Sequence, residues 1–165
     1  MTPGQLTAPP ARAPAGPEPG PATADAFRAA MRSCPPPIGI VATVDDGRPA
    51  GCAVNAFLAL SVDPPSLLVS LQNDSATLGG IGSSGRFGLS LLTERHDRLV
   101  RLFSSGPRAD RFRTADFEIV HGVPLLADVP AAFACTVSAR LPVHDHTLVI
   151  GDVLHAAAGP GGEER

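Results

Sequence analysis

Apolar residues in this chain fall in short runs separated by turn-forming clusters, a pattern of strands rather than of long helices. Residues 38–44 read as a strand, and Asp45-Asp46-Gly47 behind them as a hairpin turn. Residues 50–62 read as one further extended segment with Gly51 near its start, stopped by Asp63-Pro64-Pro65. Residues 66–71 are almost continuously apolar, which predicts a strand buried on both faces. Residues 87–92, 117–120, 133–143 and 147–155 complete the extended set, with a turn expected at 122–124. Helical spacing is sparse. Thr23 is placed as an N-cap, with Asp25 in the first turn and Phe27, Ala30 and Met31 on one face, and that helix must end before Pro35-Pro36-Pro37. Residues 75–81 suit a short helix or turn. Residues 94–103 alternate Leu99, Leu102 and Phe103 with Arg95, Arg98 and Arg101 at helical spacing, and 104–114 read as a polar loop.

Six or more strands with short turns and few helices predict a mainly β fold, a barrel with peripheral helices. A doubly wound sheet would need helices of roughly 10–15 residues between strands, and most linkers here are too short. No Gly-x-Gly-x-x-Gly follows a strand, so a dinucleotide would not be held in the Rossmann manner. Residues 1–22 are mostly Pro, Ala and Gly with Arg12 and Glu18 as the charges, a composition expected to form a disordered tail. The folded domain is expected over 23–157, with 158–165 as a short C-terminal tail.

Composition removes several chemistries. All 13 basic residues are Arg, so neither a Schiff-base lysine nor a P-loop lysine exists. Trp and Tyr are absent. A formal net charge of -3 gives no footprint for nucleic acid. Cys34, Cys52 and Cys135 are an odd, widely spaced set, which suits a reducing cytoplasm better than a disulfide framework. No apolar run is long enough to predict a membrane span.

Four places could carry chemistry. In Gly51-Cys52-Ala53-Val54-Asn55-Ala56-Phe57, small residues beside an amide would let a planar ligand approach the backbone; the plainer reading is a strand that bends there. Gln72-Asn73-Asp74-Ser75-Ala76-Thr77 closes a strand and opens a helix, where hydroxyls and free N–H groups suit a phosphate or serve as an ordinary cap. Arg111 beside Phe112 offers a guanidinium fork for phosphate or carboxylate, whereas Arg95, Arg98 and Arg101 suit a solvated helix face. His144 and His146 would share a face of a strand and could chelate a metal, but no third ligand is evident and no metal site is assigned. Cys135 among apolar neighbours reads as buried and inert.

Taken in order, these segments resemble one family. Gly51-x-x-x-Asn55-Ala56-Phe57 is followed by Leu60-Ser61-Val62-Asp63-Pro64-Pro65, then by Phe87-Gly88-Leu89-Ser90-Leu91-Leu92 and Arg111-Phe112. Val123-Pro124-Leu125-Leu126, Ala134-Cys135-Thr136-Val137 and Asp145-His146-Thr147-Leu148-Val149-Ile150-Gly151-Asp152-Val153 complete the set. Together they look like the flavin reductase family with the FMN-binding split barrel, over roughly residues 26–155.

The resemblance implies a six-stranded antiparallel split barrel, a homodimer, and noncovalent FMN or FAD reduced by NAD(P)H for a separate monooxygenase. It implies that Asn55, Ala56, Ser61 and nearby backbone line the flavin ring, that Ser75 and Thr77 lie toward its phosphate or ribityl chain, that Phe57 and Arg111 belong to the cofactor-binding set, and that His146 shapes the nicotinamide site. The sequence departs from the family where Ala53 replaces a usual hydroxyl residue and where Cys34-Pro35-Pro36-Pro37 enters the first strand. It also stops soon after Val153, where the family continues with a further apolar segment, so weaker flavin retention is expected. Another flavin reaction, or a non-catalytic flavin-binding partner of an oxygenase, is the competing reading.

Overall fold

The computed structural model describes residues 20–159. The 1–22 tail therefore falls largely outside the described residues, as does most of 158–165. The chain divides into two units at Pro35 and Pro36. The first contains α1 (Ala24–Arg32), capped as expected: the Thr23 hydroxyl accepts from the Ala26 N–H at 3.2 Å, and Asp25 pairs with Arg28 at 3.0 Å. Phe27 and Met31 are both exposed.

The second unit runs through β1 (Gly39–Asp45), β2 (Arg48–Val54), β3 (Phe57–Val62), β4 (Pro65–Gln72), α2 (Ala76–Ser84), β5 (Arg86–Leu91), α3 (Asp97–Ser105), β6 (Phe117–Val120), β7 (Val123–Leu126), β8 (Ala131–Val143) and β9 (His146–Ala158). Short 3-10 turns at Glu94–His96 and Arg108–Asp110 flank α3. Seven strands form one antiparallel sheet in the order β2-β1-β5-β8-β9-β4-β3, and β6 and β7 form a separate hairpin.

This corrects the six-stranded expectation. The single segment expected over 50–62 breaks at Asn55–Ala56 into β2 and β3, which lie on opposite edges of the sheet. Adjacent in sequence and farthest apart in the ladder, they can be joined by two residues only because the sheet curls. Val54 of β2 accordingly packs in one core with Leu67, Val69 and Leu71 of β4, and the Ser70 N–H donates to the Ala56 carbonyl at 2.9 Å. No ladder pairs β2 with β3 or β4, so the barrel stays open along this seam.

Two cores follow from the pleat. Inside the curl, Val41, Val69, Phe87, Leu89 and Val149 pack with Leu78 and Ile81 of α2. On the other face, Ile40 and Ala134 pack with Phe103 of α3 and with Val123, Leu125 and Leu126 of the hairpin. Burying each such large side chain stabilises the fold by about 1.5–3 kcal/mol. The strands covered on both faces are thus β1 and its neighbour β5, between the two cores. Contrary to expectation β4 alternates, with Leu67, Val69 and Leu71 buried and Leu68 and Ser70 only partly covered by the described residues on its outer face.

Local chemistry sets the turns. Asp46 and Gly47 take φ 48° and 73° between paired Asp45 and Arg48, the tight hairpin that Asp-Gly favours. His121 and Gly122 do the same at φ 49° and 81°, so the turn expected over 122–124 is only these two residues and Pro124 belongs to β7, opposite Ile119. Segment 104–114 is less irregular than expected: α3 runs to Ser105, and Phe112 is wedged edge-on against Phe103 and Phe117 at 5.1 and 5.2 Å. Gly151 is required by packing, since a Cβ there would lie 2.6 Å from the Phe87 ring. No helix among the described residues is long and apolar enough to cross a membrane.

Candidate functional site

The seam opens onto a cavity of about 620 Å³. One wall is β2 and the link behind it, residues 49–56. A second is the end of β4 and the entry to α2, comprising Ser70, Leu71, Gln72, Asp74, Ser75, Ala76 and Thr77. A third is α3 with its following turn, contributing Val100, Phe103, Ser104, Arg108 and Arg111. His146, the first residue of β9, and Ile38 complete the lining. That volume suits an organic ligand of cofactor size.

Each polar group is placed by its element. Ser75 is the N-cap of α2, its hydroxyl accepting from the Leu78 N–H at 3.5 Å, so the positive end of the helix borders the cavity. Arg111 is held by backbone alone: Nη1 donates to the Gly51 carbonyl at 2.7 Å, and Nε and Nη2 donate to the Gly106 carbonyl at 3.3 and 3.1 Å. Carbonyls orient the guanidinium without neutralising it. Burial lowers its pKa from the ordinary value, opposed by Cys52, yet an arginine stays charged under such a shift. Gly51 makes this docking feasible, since a Cβ there would lie 2.8 Å from the Val41 carbonyl and 3.0 Å from the Phe112 ring.

His146 follows a two-residue loop, His144–Asp145, with Val143 and His146 paired across it. Its Nδ1 lies 2.9 Å from Asp145 Oδ1, which assigns the Nδ1–H as donor and leaves Nε2 for another partner. That hydrogen bond is the largest cause of an Asp145 pKa below the usual carboxylate value. His144 is not on a strand face at all: it takes the first loop position at φ 53°, so the alternation that would place it beside His146 does not apply. Among the described residues no three His, Cys, Asp or Glu side chains gather as a metal set. His121 and His155 lie elsewhere, their rings tilted by 43° with centroids 6.1 Å apart.

Of the residues singled out from sequence, the cavity brings together Asn55, Ala56, Ser75, Thr77, Arg111 and His146. Phe57 instead packs against the inner core, and Ser61 pairs with Ser66 beside a bulge in β3; neither lines the cavity. Cys52, Gln72 and Asp74, which lay within the two singled-out segments without a role of their own, also line it, as does Arg108, because the curl of the sheet brings them there. Gln72 stands directly across from His146 in the β4–β9 ladder. Cys135 is buried, and burial pushes its thiol up to about 12, so it stays protonated.

Residues 31–165 match the family described as flavin reductase like domain. The chain is 37% identical over 135 residues to the flavin reductase (NADPH) of Lentzea aerocolonigenes, covering 79% of this chain and 78% of that one. It is 35% identical over 116 residues to a probable flavin reductase of Rhizobium meliloti, covering 68% of this chain but spanning only 37% of that relative's length. Among solved structures, the flavin reductase of styrene monooxygenase from Pseudomonas putida S12 superposes with a TM-score of 0.72 at 34% identity, covering 80% of this chain and 86% of that one.

Proposed function

Because the chain belongs to the flavin reductase family, we propose that it catalyses NAD(P)H-dependent reduction of free FMN or FAD and supplies the reduced flavin to a separate monooxygenase. One observation carries the assignment to this site: the seam cavity gathers the α2 N-terminus, the charged Arg111 and His146 around half-buried Ala53, exposed Asn55 and exposed Ala56. That donor set fits a flavin. Small side chains at 53 and 56 leave room for a flat ring against the backbone, and Asn55 offers both donor and acceptor. Ser75, Thr77 and Arg111 suit the phosphate, the first two at a helix N-terminus and the third as an un-neutralised cation. His146, oriented through Nδ1 by Asp145, presents Nε2 to a nicotinamide carboxamide or ring.

The flavin, when bound, supplies the redox chemistry. The protein's part is to hold two flat rings within reach, to anchor phosphate away from the reacting end, and to exclude water from between them.

The outer sheet face beside the cavity is apolar and open. Leu58 and Leu60 of β3, and Leu141 and Val143 of β8, are exposed. This supports a homodimer that covers the face and the unpaired β3 edge, working in the cytoplasm, where its three free cysteines stay reduced. Light scattering at the monomer mass over a wide concentration range would exclude the dimer. For the activity, the assay is NADH or NADPH oxidation on addition of FMN or FAD, together with fluorescence titration of each flavin. Retention of neither flavin at high micromolar concentration sinks the reductase reading, whereas flavin binding without nicotinamide oxidation favours the non-catalytic one.

A further inference from the structure

Asn73, the residue after β4, makes three hydrogen bonds to the loop that carries His146. Its backbone N–H donates to the Asp145 carbonyl at 2.9 Å. Its Nδ2 donates to the His144 carbonyl at 2.9 Å. Its Oδ1 accepts from the Thr147 hydroxyl at 2.8 Å. The amide orientation is unambiguous, because a carbonyl can only accept and so must face Nδ2. Residues 144, 145 and 147 are thus each gripped by one side chain or its own backbone, while His146 between them is left free to serve the cavity.

The grip answers a mechanical need. Asp145 is exposed to 88% at its side chain, and a contact between such exposed partners holds an imidazole only weakly. His144 sits in the left-handed region at φ 53°, a conformation that persists only where surrounding bonds enforce it. Thr147 is buried to 6% exposure, so its hydroxyl is a fixed point against which Asn73 can brace. The Asn73–Asp145 bond also makes Gln72 and His146 a pair without mutual ladder bonds, the geometry in which facing side chains lie closest.

We propose that Asn73 is a positioning residue for His146, clamping the loop so that the imidazole is held over the cavity at the angle nicotinamide binding requires. This rests on the reading of His146 given above. A bond that merely closes the turn would affect folding alone; a positioning bond acts through His146.

The test is a double-mutant cycle of Asn73→Ala and His146→Ala. It is read as kcat/KM for NADH with FMN, beside FMN affinity by fluorescence and the thermal midpoint. Loss of one such hydrogen bond corresponds to roughly a two- to twelve-fold fall in kcat/KM. Asn73→Ala is expected to show that fall with FMN affinity changed less than about two-fold, and to add less than about two-fold in the His146→Ala background. Thr147→Ser, which keeps the hydroxyl, should retain activity, and Thr147→Val should lose it. Equal losses in both backgrounds, or no loss in a folded Asn73→Ala protein, overturn the proposal. A silent His146→Ala beside a damaging Asn73→Ala overturns the His146 reading as well, and is told apart by the single mutants. If Asn73→Ala does not fold, Thr147→Val is carried through the same cycle, and additivity there is equally decisive.

Discussion

Replacing Arg111 by Met keeps the apolar stem and deletes the guanidinium with its three bonds to the Gly51 and Gly106 carbonyls. A hydrogen bond to a charged group contributes about 1.5–3 kcal/mol where water is excluded. Arg111 is only partly buried, so water replaces part of each bond and a value near the neutral range, about 0.5–1 kcal/mol each, is appropriate. Together that is about 1.5–3 kcal/mol. The Phe103–Phe112–Phe117 contacts are untouched and keep the segment docked, each worth about 0.5–1.5 kcal/mol beyond its buried area. At about 2–4 °C per kcal/mol for a chain of this size, the thermal midpoint should fall by roughly 3–12 °C with the protein still folded at 25 °C. The second readout is ligand affinity. If the guanidinium meets the flavin phosphate, Arg111→Met should weaken FMN by roughly ten-fold and leave riboflavin, which has no phosphate, nearly unchanged. Equal weakening of both flavins would mean that Arg111 acts only by shaping β2, and an unchanged midpoint would mean that the three bonds carry no net stability; either result refutes the corresponding half of the reasoning.

Three further outcomes follow from the same geometry. His146→Ala should lower kcat/KM for NAD(P)H by roughly two- to twelve-fold with flavin affinity intact, while His144→Ala is tolerated and chelators change nothing; equal, chelator-sensitive losses in both would revive the metal reading. Gly151→Ala forces a Cβ to within 2.6 Å of Phe87 and 2.8 Å of the Cys135 Cβ, so urea melts should show about 1–3 kcal/mol of destabilisation, and an unchanged midpoint would mean that Phe87 gives way freely. Asp145 has a depressed pKa in the folded protein, so the stability it contributes is present above the ordinary carboxylate value of about 3.9 and is lost as pH falls through its folded value. Asp145→Asn should flatten that acid limb of the melting profile, and a limb of unchanged slope would show that the contact to His146 contributes nothing.

Local signals were legible where local chemistry decides the backbone. Asp46-Gly47, the Thr23 and Ser75 caps and the strand content of 133–155 follow from φ preferences, capping and pattern, which neighbours in sequence determine. Asn55–Ala56 was not legible as a strand break, because a single Asn favours a turn only weakly and the division comes from where β3 must pair, with β4. Pro124 suggested a turn, but its missing N–H is harmless in a two-stranded hairpin whose other edge needs no donor there. The cavity was half legible. Ser75, Thr77, Arg111 and His146 bear chemistry that marks them in any context. Gln72 and Arg108 are ordinary surface residues until the curl sets them around one space, and Ser61 lies a bulge away from it.

The two-residue link between β2 and β3 works as a gauge. Seven strands laid flat would put the outer pair about six spacings of 4.8 Å apart, close to 29 Å. Three Cα steps from Val54 to Phe57 can span about 11 Å at most. The chain therefore dictates a circumference, and the cavity at the seam inherits its width from a length of backbone rather than from the side chains that line it. Splicing Gly-Ser between Asn55 and Ala56 would let the edges drift apart and enlarge the opening with every lining residue still present. Two homologous chains with the same contact residues but different link lengths would then accept ligands of different thickness, a form of selectivity written in chain length.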